Sequence, residues 1–274
     1  MIRLCMQQRM PHTPKPTMSI PRIHLTMPLV VGALAVWLCL SLGGRWLESA
    51  GYALPGAAVT GRIGLSWALA AVFALALLLA SSRRREAGLG VPQPWKTLWL
   101  VWPPLLYALL MLLLAWAGGW PQPRVLLIVA CNAALVAISE ELMFRAILLQ
   151  GMLDRYTVWP AVLMSSALFG LAHTANGLAS GDVSGALWQA VAATLQGIGY
   201  AAIRLRTRSI WPMVLVHGLW DYALVTATLP HPAEDGASIL PYVALLAVLP
   251  LCLYGVYLLR PSQRAALAPA DAAA

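Results

Sequence analysis

Charge is what this sequence has least of: Asp, Glu, Lys and Arg make up 10% of its 274 residues, where soluble domains carry about 25%. With 60% of residues hydrophobic, that scarcity argues against a soluble globular domain and for a polytopic membrane protein. Acidic residues number ten against 18 Lys and Arg, a net charge of +8. The surplus does not make a nucleic-acid partner, because the basic residues sit in short connections between apolar runs, where the positive-inside rule accounts for them. Cysteine is sparse: Cys5, Cys39, Cys131 and Cys252 form no CxxC and no metal-ligand spacing, which argues against a disulfide framework. Also missing are an HExxH zinc-protease signature, a GxSxG nucleophile, an internal repeat and any polar stretch large enough to fold alone.

What the chain has is apolar runs, near 28–42, 63–80, 98–117, 125–150, 158–173, 185–203, 210–229 and 239–259. Most approach the roughly 20 residues a membrane helix needs. They predict an all-α fold, a polytopic membrane helical bundle of about eight transmembrane helices. The first run reads as an uncleaved span behind a basic tail rather than a signal peptide. With the N-terminus inside, 14 of the 18 Lys and Arg fall in 1–27, 81–97, 151–157, 204–209 and 260–274, and the opposite loops hold only Arg45, Arg62 and Arg124. That bias predicts both termini in the cytoplasm and an integral protein of a bacterial-type inner (plasma) membrane. Arg83–Arg85 read as a topology determinant touching lipid headgroups. Trp37, Trp46, Trp95, Trp99, Trp102, Trp120, Trp159 and Trp211 read as an aromatic belt at the interfaces.

One apolar run is interrupted. Ser139–Gln150 reads SEELMFRAILLQ, so Glu140, Glu141 and Arg145 lie within six residues at membrane depth. Such residues face a protein interior or a wet cavity and mark function by default. At α-helical spacing Glu141 and Arg145 are i,i+4 partners. Glu140, about 100° around the helix, is left as the unpaired carboxylate. Two later spans carry Phe169-Gly-Leu-Ala-His173 and His217-Gly-Leu-Trp-Asp221. Asp221 can take a ring N–H of His217 and fix its tautomer. A rise of about 1.5 Å per residue puts Glu140 roughly 15 Å, His217 roughly 10 Å and His173 roughly 22 Å from the cytoplasmic ends of their helices. The three can meet in one cavity, expected to open to the cytoplasmic side.

A carboxylate and two imidazoles around a water form a hydrolase set, with the glutamate as general base and an imidazole polarising the carbonyl or sharing the proton. No cofactor is favoured; if a divalent metal such as zinc is present, its ligands are Glu140, His173 and His217. The other readings are a buried salt-bridge network in a non-catalytic scaffold, or a proton-coupled carrier. A carrier would be expected to show inverted repeats.

In order and inside membrane spans, the three segments resemble the CAAX-processing and bacteriocin-processing intramembrane protease family, which includes the type II CAAX prenyl endopeptidase. Its pattern of EExxxR, FxxxH and HxxxN or HxxxD is matched by Glu140 to Arg145, Phe169 to His173 and His217 to Asp221. Gln196–Pro212 is similar to the family's approach to its last motif. The resemblance covers roughly 135–225. It implies an intramembrane endopeptidase in which Glu140 and His173 activate water while His217 and Asp221 stabilise the oxyanion. Where this chain has Asp221 the best-studied branch has asparagine, an amide donor; an ionised aspartate instead orients His217 or, in the metal reading, joins the ligands. Glu141 and Arg145 resemble the supporting ion pair, and Phe169 the packing beneath the site. The implied partners are membrane lipid and a membrane-anchored peptide or protein substrate, and the family's alternative is a bacteriocin self-immunity protein. The organisation expected is a cytoplasmic tail (1–27), N-terminal transmembrane helices (28–120), a protease core (121–230), a last transmembrane helix (231–260) and a disordered tail (261–274).

Overall fold

The computed structural model describes residues 22–49, 59–229 and 240–261. Most of the two expected tails, and with them Cys5, His12, His231, Glu234 and Asp235, lie outside these residues. Within them the chain is helical, with no strand and one isolated parallel bridge between Ile23 and Ser81.

Helix α1 (Met27–Leu38) passes through a π turn (Cys39–Gly43) into α2 (Gly44–Ser49), so the first rod runs beyond the expected end at 42. Helix α3 is Leu65–Ala80, and a 3-10 turn (Trp95–Val101) leads into α4 (Trp102–Ala117). The interrupted run becomes α5 (Pro123–Glu140), a π segment (Glu141–Leu148) and α6 (Leu149–Leu153). Then come α7 (Val158–His173), α8 (Ala175–Ser180), α9 (Val183–Thr207), α10 (Trp211–Thr228) and α11 (Leu240–Leu258). Proline in the first turn opens α1, α4, α5 and α10, where its missing N–H has no helical partner to lose. Asp182 caps α9 by accepting from the Gly185 N–H at 2.8 Å, satisfying one of the orphan donors.

This is an integral membrane protein. Met27–Glu48, Trp95–Ala117, Pro123–Leu153 and Val158–Leu178 are long and apolar enough to cross a bilayer, and Leu65–Ala80 and Leu246–Leu258 are shorter apolar helices. The short 158–173 run gains its length from α8. Helices α9 and α10 are absent from that set because polar residues interrupt them: Gln189, Gln196 and Arg204 on one, His217 and Asp221 on the other. Leu69, Val72, Leu113, Leu215 and Leu253 point outward from four helices, as side chains bathed in hydrocarbon do.

Helix α9 packs against α7 and α11, α10 against α4 and α5, and α3 against α5. Small residues let these backbones approach, the usual solution in lipid. A Cβ on Gly170 would stand 2.0 Å from Thr194 Oγ1 and 2.4 Å from Ala190 O. One on Gly255 would stand 2.8 Å from Gly199 Cα. The core centres on the π segment, where every side chain from Glu141 to Leu148 is buried.

One end of the bundle is closed by the 81–94 connection. Ile210 N donates to Gly88 O at 3.0 Å, Ser209 Oγ to Gly90 O at 2.7 Å, Trp211 Nε1 to Leu89 O at 3.0 Å and Gln93 N to Thr207 O at 3.0 Å. Arg204, counted from the sequence with the basic 204–209 connection, lies within α9, is buried and donates to Glu86 O. Arg83 bridges Glu86 and Asp154 across the same end. Trp37 also departs from expectation. It is 3% exposed and donates to Ser139 Oγ at 2.8 Å, so it is an interior residue beside the site and no part of a belt. Trp46, Trp95, Trp99, Trp102 and Trp120 are exposed.

Candidate active site

The local geometry of the EExxxR stretch differs from the α-helical spacing the sequence suggests. From Glu141 to Leu148 the helix is a π-helix, closing i→i+5 hydrogen bonds, a form that is rare and frequent at functional sites. The wider turn still brings Arg145 Nη1 within 3.2 Å of Glu141 Oε1, without the alignment of a hydrogen bond. The Arg145 guanidinium lies over the Phe169 ring at 4.0 Å and near Tyr200 at 5.6 Å. Phe169 in turn meets Phe144, His173 and His217 edge-on, at centroid distances of 5.0, 4.7 and 6.1 Å. It is the hub that holds both imidazoles.

Glu141 is fully buried, and its Oε1 accepts from His217 Nδ1 at 2.9 Å. The residue that fixes the orientation of His217 is therefore Glu141, 76 positions away, and not Asp221 as helical spacing predicts. The other ring nitrogen, Nε2, stands 3.5 Å from Asp221 Oδ2 and 3.7 Å from Glu140 Oε2. With Nδ1 turned to Glu141, Nε2 faces the carboxylates of both Asp221 and Glu140. His173 is oriented separately: its Nδ1 donates to Phe169 O at 2.8 Å, which leaves Nε2 as the acceptor in the neutral ring.

Glu140 Oε2, like Glu141 Oε2, is buried and, among the described residues, has no hydrogen-bond partner, an expensive condition for a carboxylate oxygen; of the two, only Glu140 lines a cavity. Glu140 and His173 together line a small pocket of about 30 Å³ with Arg45, Trp67, Ser139 and Asn176. Both also line a cavity of about 590 Å³ that includes His217 and Asp221. Its walls are α5 from Val129 to its last residue Glu140, mainly the first half of α9, and α10 from His217 onward, with Val129, Asn132, Asp182 and Gln189 toward one end and Glu140, Gln196 and His217 toward the other.

The structure thus gathers Glu140, Glu141, Arg145, Phe169, His173, His217 and Asp221 around one point. The cavity, however, lies toward the 118–122 and 174–182 connections and away from the basic end sealed by 81–94. His173 closes the far end of α7, and most of the cavity-lining residues of α9 belong to its first half. Among the described residues no group of three or more His, Cys, Asp or Glu side chains has the spacing to hold a metal ion. The zinc alternative, with Glu140, His173 and His217 as ligands, gains no support from this geometry.

Sequence reasoning missed Arg45. It enters from α2, donates from Nη1 to Asn176 Oδ1 at 3.2 Å and lies over Trp67 at 5.3 Å. In the sequence it is one of three basic residues in non-cytoplasmic loops, and nothing there links it to a motif 95 positions later. Asn176 in turn donates to Gln189 Oε1 at 2.8 Å, joining α8 to α9 at the cavity wall. Gln196 donates to Tyr200 Oη at 3.0 Å near the floor.

An all-helical membrane protein with paired carboxylates and two oriented imidazoles at the floor of an internal cavity has the build of an intramembrane hydrolase. Residues 121–223 match the family described as type II CAAX prenyl endopeptidase Rce1-like, a family of proteases. The matched segment runs from the start of α5 into α10 and contains all three motifs; α1 to α4 and α11 lie outside it. The chain matches no curated protein and no solved structure.

Proposed function

We propose that this protein is an intramembrane endopeptidase that hydrolyses a peptide bond in a membrane-associated polypeptide, with Glu140 and His173 activating the attacking water. The observation that carries this reading is the small pocket between those two residues. At about 30 Å³ it takes about two waters by the volume a buried water needs. It adjoins the cavity of about 590 Å³, beside the Glu140 Oε2 that has no hydrogen-bond partner among the described residues.

The water oxygen attacks the carbonyl carbon as its proton passes to Glu140, with His173 Nε2 as a second acceptor. Negative charge develops on the carbonyl oxygen, where Arg45 and a protonated His217 provide positive charge. The C–N bond then breaks and the amine leaves with the proton from Glu140. Glu141 and Arg145 do not touch the reacting atoms; they hold His217 in place. Eight membrane-crossing helices with both termini in the cytoplasm of a bacterial-type cell complete the reading. The family name leaves both a prenylated and an unmodified substrate open.

The test is a peptidase assay on detergent-purified protein with a library of membrane-anchored peptides, comparing wild type with Glu140→Gln. Loss of a general base lowers the rate about 10²–10⁴-fold, and a chelator should leave the wild-type rate unchanged. Loss on chelation that zinc restores would move these residues into a metal site. Equal rates for wild type and Glu140→Gln on every substrate would leave a scaffold or self-immunity protein as the better account.

A further inference from the structure

We infer that the cavity face of α9 is a backbone-reading subsite, where Gln196 and Gln189 hold an extended polypeptide by its own N–H and C=O groups. The class of ligand rests on the proposed protease reading.

Polar side chains on a helix of a membrane bundle need a use. Both glutamines line the cavity of about 590 Å³. They are seven residues apart, so they share one face of α9 and stand roughly 10 Å apart along it. Between them that face lines the cavity with Ala192 and Ala193, and nothing larger than a methyl group separates the two amides. On the α5 wall Val129, Ala133 and Val136 are apolar. Asn132 is already bonded there, to Gly64 N, Val59 O and Arg62 O.

The hydrogen bonds around each glutamine decide which atom it offers. An arginine only donates, so Arg45 Nη1 at 3.2 Å fixes Asn176 Oδ1 as the acceptor. Asn176 then presents Nδ2 to Gln189, whose Oε1 accepts at 2.8 Å. Gln189 is left with Nε2 as a donor. Gln196 is set the other way: its Nε2 donates to Tyr200 Oη at 3.0 Å, which leaves Oε1 as its acceptor. Helix α9 thus offers the cavity one donor and one acceptor roughly 10 Å apart.

An extended chain matches that pair. It advances about 3.3–3.6 Å per residue, and on one edge its N–H and C=O groups recur every second residue. The N–H of one residue and the C=O of the residue two further on span nearly three residues, about 10 Å. A helical substrate cannot use the pair, because its N–H and C=O groups are bonded within it. An unwound segment at membrane depth carries these groups unsatisfied, at high cost, and the two amides offset part of it. The subsite reads no side chain, but it excludes proline, which has no N–H, at the residue that meets Gln196.

The test measures binding to the full chain in mixed micelles, in the Glu140→Gln background so that the peptide stays whole. The probe is a fluorescent membrane-anchored peptide, the tightest binder of the library. Each of its peptide bonds in turn is replaced by an ester, which removes one N–H and weakens one carbonyl as an acceptor. Two esters about three bonds apart should each raise Kd about 2–12-fold, the value of one net hydrogen bond. The first loss should vanish in Gln196→Met and return in Gln196→Glu, which keeps an acceptor oxygen. The second should vanish in Gln189→Met. Ester losses that are equal in all variants, coupling to one glutamine alone, or no bound peptide at all would overturn the subsite. Wild-type cleavage of the same library keeps the two ideas apart. Coupling without any cleavage supports the subsite and sinks the protease reading, and cleavage without coupling does the reverse.

Discussion

Removing Arg145 tests how the site is held together. Its side chain is 3% exposed and that of Glu141 is fully buried, 3.2 Å apart. Arg145→Met keeps the length of the apolar stem over Phe169 but leaves Glu141 with the His217 N–H at 2.9 Å as its remaining partner. Breaking a buried pair by deleting one partner costs about 3–5 kcal/mol. The surviving bond to His217 argues for the low end, about 3 kcal/mol. Replacing both partners by neutral groups is often harmless, so Glu141→Gln with Arg145→Met should be less destabilised than Arg145→Met alone. Equilibrium unfolding in mixed micelles, titrated with a denaturing detergent, measures all four proteins. The reasoning fails if Arg145→Met lies within about 0.5 kcal/mol of wild type, the range of ordinary surface changes, or if the double variant loses the sum of the two single losses.

Other outcomes follow from the same geometry. Gly170→Ala forces its methyl into Thr194 Oγ1 and Ala190 O. The α7–α9 crossing should loosen at a cost of about 1–3 kcal/mol, measurable by the same unfolding titration. Arg45→Ala should lower kcat by about 10²-fold, the value of one oxyanion donor, with KM nearly unchanged and partial rescue by Arg45→Lys. A change in KM alone would reassign Arg45 to substrate binding. Asp221→Asn should retain cleavage to within about tenfold, since His217 keeps its bond to Glu141 and an amide adds a donor. Asp221→Leu should fall well below it, and equal kcat/KM values for the two would remove Asp221 from the mechanism.

The sequence made the helices legible because each apolar run had to be a helix in lipid, and their ends were misjudged where a π turn or α8 prolonged them and where α9 carries on through its basic last turn to Thr207. It exposed Glu140, Glu141 and Arg145 because charge in an apolar run stands out against hydrocarbon. The bond from Glu141 to His217 was illegible because it spans 76 positions and depends on a π segment that no spacing rule announces. Spacing instead favoured Asp221, its i+4 neighbour on the same helix. Arg45 was hidden differently: a basic residue at the end of a span has a sufficient explanation in topology, so nothing in one dimension asks for another.

The π segment makes the site sensitive to length as much as to composition. Removing one residue between Met143 and Ile147 would let the rod relax into ordinary α-helical winding. Side chains left within the segment would swing by about 100°, with Arg145 or the apolar face behind it turned off Phe169, while the helices on either side kept their register. A substitution in that stretch changes one side chain; a one-codon deletion changes the aim of its neighbours in the segment as well. Genes for proteins built this way are expected to drift by exchange of residues while tolerating no gap between Glu140 and Gln150.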